Sequence, residues 1–264
     1  MTALAQHEVL ETPRTAVSSS DGSTSVLKAL QLMDAFRNGS RLLGVSDLSR
    51  RAGIHKSTAF RLLATLERGG YVERVGTKYQ LSLRVFEMGN RVELCKPSGL
   101  RDVALPFLSE LYATVNRTVH LGVLDGGEVL YLEKIHGHRA KRLPTTIGGR
   151  MPANCTAIGK AMLAFSDKET VMAVLDQPLT RMTPYSNNHP GRLVSQLHQI
   201  QVDGIAHDRE EVALGLICVA APILRRGRAV AAISVSSPTA GFNETLVGEQ
   251  VRAAAQGISA AMFE

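Results

Sequence analysis

The sequence predicts an α+β protein of two parts, an N-terminal winged helix-turn-helix followed by a mixed α/β domain. Three observations carry this reading. Apolar residues recur at helical spacing through residue 68 and then give way to two short β-prone runs around a glycine. From Thr118 onward, pairs of strand-like runs alternate with helical stretches. Positive charge is also gathered in one segment: residues 24–96 hold 13 Lys/Arg against 6 Asp/Glu, residues 1–23 hold 1 against 3, and residues 97–264 hold 16 against 15.

A chain of 264 residues suits two domains. Its 44% apolar content supports a packed core, built mainly from Leu, Val, Ile, Ala and Met because Trp is absent and aromatics are only 5%. Residues 1–23 are polar and end in a Ser-rich stretch, so they read as a flexible arm. Val26, Leu30, Met33 and Phe36, with Ala29 beside them, give an amphipathic helix over 24–37 that Asn38-Gly39 terminates. Ser46 is the expected N-cap of a short second helix through Ala52, with Leu48 and Ala52 inward and Gly53 in the turn. A third helix, Lys56–Arg68, turns Ala59, Leu62, Leu63 and Leu66 inward. Gly69-Gly70 then offers a left-handed position. The runs 71–75 and 78–83 flank Gly76-Thr77, a two-residue loop of the type II′ kind.

Residues 84–116 return to helical pattern, with stripes Val85/Met88/Val92/Cys95 and Val103/Phe107/Leu111/Val115 separated by Pro97-Ser98-Gly99. Strands follow at 119–124 and 128–135, and again at 217–224 and 230–236. Helices are expected at 156–165, 168–175 and 193–202. A last amphipathic helix covers 244–262, with Val247, Val251, Ala254, Ile258 and Met262 on its apolar face.

The basic segment has the mechanics of a DNA reader. With its leucines inward, the third helix presents Lys56, Ser57, Thr58, Arg61 and Thr65 outward. Such side chains donate to phosphates and base edges in a major groove. Open N–H groups in its first turn favour phosphate too. Arg50 and Arg51 fall beside the flanking phosphate, while Arg74 and Lys78 place cations on a hairpin wing.

Two blocks of residues carry a resemblance. The run 26–33 (Val-Leu-Lys-Ala-Leu-Gln-Leu-Met), Asp47-Leu48 and the run from Gly53 to Leu63 resemble the N-terminal half of IclR-family regulators. The second block comprises residues 149–161, 207–211, 215–222 and 232–236, and it is similar to the effector domain of the same family. The resemblance implies a GAF-like fold that binds small organic acids, and it makes the Lys56–Leu66 segment the recognition helix. It also implies effector contacts for Ala157, Ile158, Asp208, Leu216, Cys218, Ser234 and Ser236. Relatives often carry Leu-His-Ala where this chain has Ala153-Asn154-Cys155, and Arg where Ile217 stands. The effector therefore cannot be copied across; a hydroxybenzoate-like acid is the expectation, as aromatic-acid catabolism is a common theme of the family.

The residues themselves support an acid pocket. Asn154-Cys155-Thr156 opens a helix, so the amides of Ala157 and Ile158 point at one spot suited to a carboxylate, and Asn154 is expected to bind the effector beside them. Ser234 and Ser236, two apart on a strand, share a face. Cys218 supplies a small wall.

The resulting boundaries are an arm over 1–23, a winged helix-turn-helix over 24–83, a linker helix over 84–97 and an effector-binding domain over 98–264. Expected partners are a palindromic double-stranded operator, a small carboxylic acid and further copies of the chain, as a dimer or dimer of dimers. The helices of 24–37 and 84–95 are the expected contact surfaces. No cofactor and no metal is expected, since Cys95, Cys155, Cys218, His136, His138 and His207 lack ligand spacing.

An enzyme reading would use Cys218 with His207 or His120, but an apolar strand disfavours the thiolate it needs. Gly159-Lys160-Ala161 lacks the remaining residues of a phosphate loop. Unpaired cysteines, no basic-then-apolar leader and no apolar run of bilayer length lead to the expectation of a cytoplasmic protein without membrane contact.

Overall fold

The structure, a computed structural model, describes residues 24–37, 40–96, 98–136 and 143–263. The expected arm over 1–23, the Asn38-Gly39 stop, Pro97 and His138 lie outside the described residues. The chain divides into two compact units, one ending at Phe86 and the other beginning at Glu87.

The first unit contains α1 (Ser25–Asp34), β1 (Leu43–Gly44), α2 (Val45–Ala52), α3 (Lys56–Arg68), β2 (Val72–Val75) and β3 (Lys78–Leu81). Its small antiparallel sheet has the order β1-β3-β2. Leu32, Leu43, Leu48, Ala59, Leu62, Leu63, Val72 and Tyr79 form its core. Val75 pairs with Lys78 across the hairpin. Of the two loop residues only Gly76 has positive φ, as a II′ turn requires.

Two local expectations are corrected. Helix α1 buries Leu32, whereas Val26 (69% exposed) and Leu30 (57%) face outward. Ala29, Met33 and Phe36 of the expected stripe do pack against the core; apolar residues occur on both sides of this helix, so spacing alone misplaces Val26 and Leu30. Ser46 does not cap α2: Gly44 is its N-cap, and Ser46 lies inside the helix, its carbonyl accepting the Ser49 hydroxyl at 3.0 Å.

The predicted linker helix is shorter than 84–97. Helix α4 (Leu83–Gly89) stops at Gly89, and a separate 3₁₀ turn covers Glu93–Cys95. Helix α5 (Leu100–Val115) follows and buries Leu100, Ala104, Leu108 and Leu111, while Phe107 and Val115 of the stripe read in the sequence pack partly buried beside them.

The second unit is built on one antiparallel six-stranded sheet. Its strands are β4 (Thr118–Asp125), β5 (Glu128–Ile135), β6 (Arg150–Pro152), β7 (Ala206–Arg209), β8 (Leu216–Arg225) and β9 (Arg228–Pro238). They run in the order β6-β5-β4-β9-β8-β7. The β4–β5 loop Gly126-Gly127 and the β8–β9 loop Arg226-Gly227 have positive φ at both residues, the signature of tight I′ hairpins.

Because successive side chains alternate, the sheet has two apolar faces. Val119, Leu121, Val219, Ala221, Ile233 and Val235 pack with α5 and the C-terminal helix α9 (Glu244–Phe263). Tyr131, Cys218, Ala220 and Ala232 pack on the other side with α6 (Ala157–Ala164) and α8 (Pro190–Asp203). Helix α7 (Lys168–Leu175) adds partly buried Val171, Val174 and Leu175 to that side.

Two glycines permit the close seating of α6. A Cβ on Gly122 would lie 2.7 Å from a Val129 methyl and 3.2 Å from an Ile158 methyl, and one on Gly159 would meet the Ala153 backbone at 2.3 Å. Among the described residues, no helix is long and apolar enough to cross a membrane.

Candidate functional site

In the first unit, α3 separates packing from chemistry by face. Ala59, Leu62 and Leu63 are buried, whereas Lys56, Ser57, Arg61 and Thr65 are exposed and Thr58 is half-buried. His55 precedes the helix without a side-chain cap. Among the described residues, the first-turn N–H groups therefore have no side chain to satisfy them. Phe60, 53% exposed, stands on the same outer side and is absent from the residues that sequence reasoning selects. Its signal is an aromatic placed at a solvent phase of the helix.

The other predicted cations differ in how free they are. Arg50 pairs with Asp47 at 2.8 Å and remains exposed. Arg51 donates to the Ala35 carbonyl at 3.2 Å, tying α2 to the end of α1. Arg74 donates to the Gly76 carbonyl at 3.0 Å and so braces its own hairpin. Lys78 is exposed beside the turn.

In the second unit, a cavity of about 20 Å³ lies between the sheet and the start of α6, room for about one water molecule. Seven predicted residues line it: Ala157, Ile158, Asp208, Leu216, Cys218, Ser234 and Ser236. Strand register brings them together. Asp208 of β7, Cys218 of β8 and Ser236 of β9 lie directly opposite one another, and Ser234 lies opposite His120 of β4.

Asn154 is a correction. Its side-chain amide donates to the carbonyls of Thr180 at 2.8 Å and Asn187 at 3.1 Å, so it pins a loop instead of lining the cavity. His120, Tyr131, Leu143, Thr145, Thr156 and Val212 complete the wall. They escaped sequence reasoning because register and loop packing, not local spacing, deliver them.

A polar network runs along this wall. His120 Nε2 lies 2.9 Å from the Thr145 hydroxyl, Nδ1 lies 3.5 Å from the Ser236 hydroxyl, and that hydroxyl donates to Cys218 Sγ at 3.1 Å. Cys218 in turn hydrogen-bonds Asp208. Asp208 accepts backbone N–H groups from Glu211 at 2.8 Å and Val212 at 3.4 Å. Among the described residues, neither the Ser234 hydroxyl nor the Tyr131 phenol makes a hydrogen bond. On α6, Thr156 Oγ1 accepts the Gly159 N–H at 3.0 Å, which leaves the amides of Ala157 and Ile158 as the open pair of the first turn.

Burial sets the charge states. It holds the His120 imidazole down at about 3, with Lys134 and His136 contributing, so the ring is neutral. It pushes the Cys218 thiol well above its ordinary value and the Cys155 thiol up to about 11. A thiol so disfavoured as thiolate is no nucleophile. Burial also pushes the Asp208 carboxyl up to about 6, against the opposing pull of Lys160 and the Glu211 N–H. Among the described residues, no group of three or more His, Cys, Asp or Glu could hold a metal ion.

Residues 25–76 match the IclR helix-turn-helix domain, and residues 92–260 match the domain described as "Bacterial transcriptional regulator IclR C-terminal". The chain belongs to the IclR family. It is a DNA-binding transcription regulator with a C-terminal ligand domain, not an enzyme.

Among IclR-family relatives, the HTH-type transcriptional regulator KdgR of Escherichia coli (strain K12) is 35% identical over 253 residues, spanning 92% of this chain and 94% of its own. The p-hydroxybenzoate hydroxylase transcriptional activator of Acinetobacter baylyi is 29% identical over 242 residues, spanning 88% and 89%. An IclR homolog from Microbacterium hydrocarbonoxydans, crystallised with 4-hydroxybenzoate, is similar with a TM-score of 0.82 at 27% identity, covering 90% of this chain and 99% of that one.

Proposed function

We propose that this regulator acts in the cytoplasm and binds a palindromic operator as a homodimer or dimer of dimers, under the control of a small carboxylic acid held beneath α6. The observation that carries the ligand half is the convergence of an open helix N-terminus and the hydroxyls of Ser234 and Ser236 on one buried cavity. The amides of Ala157 and Ile158 receive the carboxylate. The two serines bond its oxygens or a ring substituent, Asp208 faces the polar remainder, and Leu216 and Cys218 form the wall.

The DNA half rests on the outer side of α3. Lys56, Ser57, Thr58, Arg61 and Thr65 enter the major groove there, Arg50 meets a flanking phosphate and Lys78 reaches the backbone from the wing. Arg51 and Arg74 contribute less, because each already serves a backbone carbonyl. The domain limits follow the same assignment: an arm over 1–23, a reading head over 24–83, a linker over 84–97 and an effector domain over 98–264. Exposed Val26 and Leu30 on α1 and Leu83 and Phe86 on α4 supply apolar surface for the second copy.

A hydroxybenzoate-like acid is the specific effector we favour, and a catabolic operon the target. The solved 4-hydroxybenzoate complex of one relative and the name of another support it. An aromatic acid needs far more room than about 20 Å³, so binding must displace side chains around the cavity. Such movement is one way to couple occupancy to the reading heads, at typically ~1–3 kcal/mol. Thermal-shift screening of monocarboxylic acids, aromatic and aliphatic, tests the reading. A raised Tm with 4-hydroxybenzoate that Ser234→Ala and Ser236→Ala abolish is the expected result; indifference to every acid refutes it.

A further inference from the structure

The Asp208 end of the cavity holds an unbalanced set of sealed charges. Asp208 and Lys160 are each 1% exposed and Glu211 is 6% exposed. Lys160 Nζ is ion-paired with Glu211 Oε1, while Glu211 Oε2 makes no hydrogen bond. One buried cation therefore serves two buried carboxylates.

The other groups around Asp208 do not restore the balance. Cys218 on β8 and Cys155 before α6 are held as thiols, Tyr131 on β5 as a phenol, and His120 on β4 as a neutral imidazole. His207, next to Asp208 on β7, has its charged form disfavoured first by burial and then by Arg209, despite its contact with Glu244. A carboxylate entering this space adds another negative charge in a poorly solvated site, where like charges repel strongly.

We propose that an acid anion enters this cavity together with one proton, taken from solvent and held on Asp208, so that the regulator responds to the acid and to pH jointly. This rests on the reading of the cavity as the effector site. In the complex a neutral Asp208 stops repelling the ligand and gains an O–H to donate to it. The sign follows from the free carboxyl, which titrates near 6. Below that pH Asp208 already carries its proton and affinity is flat. Above it, each complex must draw a proton from solvent, and affinity falls by up to about tenfold per pH unit.

The test uses the full chain with acetate, which asks for less widening of the water-sized cavity than an aromatic acid does, and with 4-hydroxybenzoate, at about pH 6 and about pH 8 and at ionic strength matched with chloride. Thermal shift shows which acid binds. Calorimetric titration in buffers of different ionisation enthalpy then counts the protons taken up. The expected result is uptake approaching one proton at the higher pH and a Kd weaker there by about tenfold or more. Asp208→Asn, which is permanently neutral, should bind with no uptake and a Kd indifferent to pH. Binding by the natural chain without proton uptake overturns the proposal and leaves the cavity assignment intact, as does uptake that persists in D208N. The proton count on the natural chain decides the matter even if the variant does not fold. Failure of both acids to bind at either pH removes the acid reading and this inference with it.

Discussion

Helix α3 buries Ala59, Leu62 and Leu63 and leaves Lys56, Ser57, Phe60, Arg61 and Thr65 accessible, whereas all eight residues of α6, Ala157 to Ala164, are buried. Both helices present open first-turn amides toward a site, yet they distribute their residues in opposite ways. On α3, one face holds the core and the other is free for a partner. On α6 every position packs, and the site is a gap in that packing. A duplex is a large external surface that needs a projecting helix. A small acid needs enclosure, and enclosure draws charged groups such as Lys160 and Glu211 into the interior.

The comparison breaks most visibly at Lys160. Lys160→Met removes the only counter-charge bonded to buried Glu211 among the described residues. Leaving a buried carboxylate unpaired costs about 3–5 kcal/mol, which should appear as a lower denaturant midpoint for the full chain. The double variant Lys160→Met/Glu211→Met should recover most of that loss, since apolar replacement of both partners is often neutral. If the single variant is as stable as the natural chain, the pair is not the electrostatic anchor of this end of the cavity. No side chain on the outer face of α3 should behave this way.

The same contrast explains what could be read in advance. Helix α3 was legible because its period separates polar from apolar residues cleanly, and its bounds fall at Lys56 and Arg68 as the sequence indicates. The hairpins were legible because Gly76, Gly126-Gly127 and Arg226-Gly227 mark their turns. Strands β1, β6 and β7 were missed. The first two span only Leu43–Gly44 and Arg150–Pro152, and β7 (Ala206–Arg209) is short and carries His, Asp and Arg. Seven cavity residues were legible from resemblance and strand alternation. His120, Tyr131 and Thr145 were not, because they arrive through pairings that no local pattern encodes. Asn154 was misplaced since its neighbours do open a helix, but the carbonyls of Thr180 and Asn187 claim its amide. The buried state of Lys160 had no signal at all: a lysine in an apolar helix usually reaches solvent.

Arg61→Ala sharpens the comparison from the other side. Arg61 is exposed and its side chain makes no hydrogen bond among the described residues, so stability should change by less than about 0.5 kcal/mol. Binding to a duplex selected from a random library should weaken by about 1–3 kcal/mol, with relaxed preference at one base position in each half-site. A loss of stability without a change in selectivity would mean that this face belongs to the protein's own packing. Phe60→Ala, scored with thymine replaced by uracil at each selected position, separates apolar readout of a methyl from charge readout by Arg61.

The smallest effect is expected at Lys78→Ala. Lys78 lies beside the Gly76-Thr77 turn on a strand whose inner residue, Tyr79, is anchored in the core, so removing the cation leaves the hairpin intact. A phosphate contact carries no base information. The variant should therefore bind all duplexes about equally less well, and the slope of log affinity against log salt should shrink by about one. The wing would then be a positioning element, reading nothing, while α3 reads sequence. Should K78A instead change which sequence is selected while the salt slope holds, the division of labour is reversed, and the hairpin must reach base edges that α3 does not.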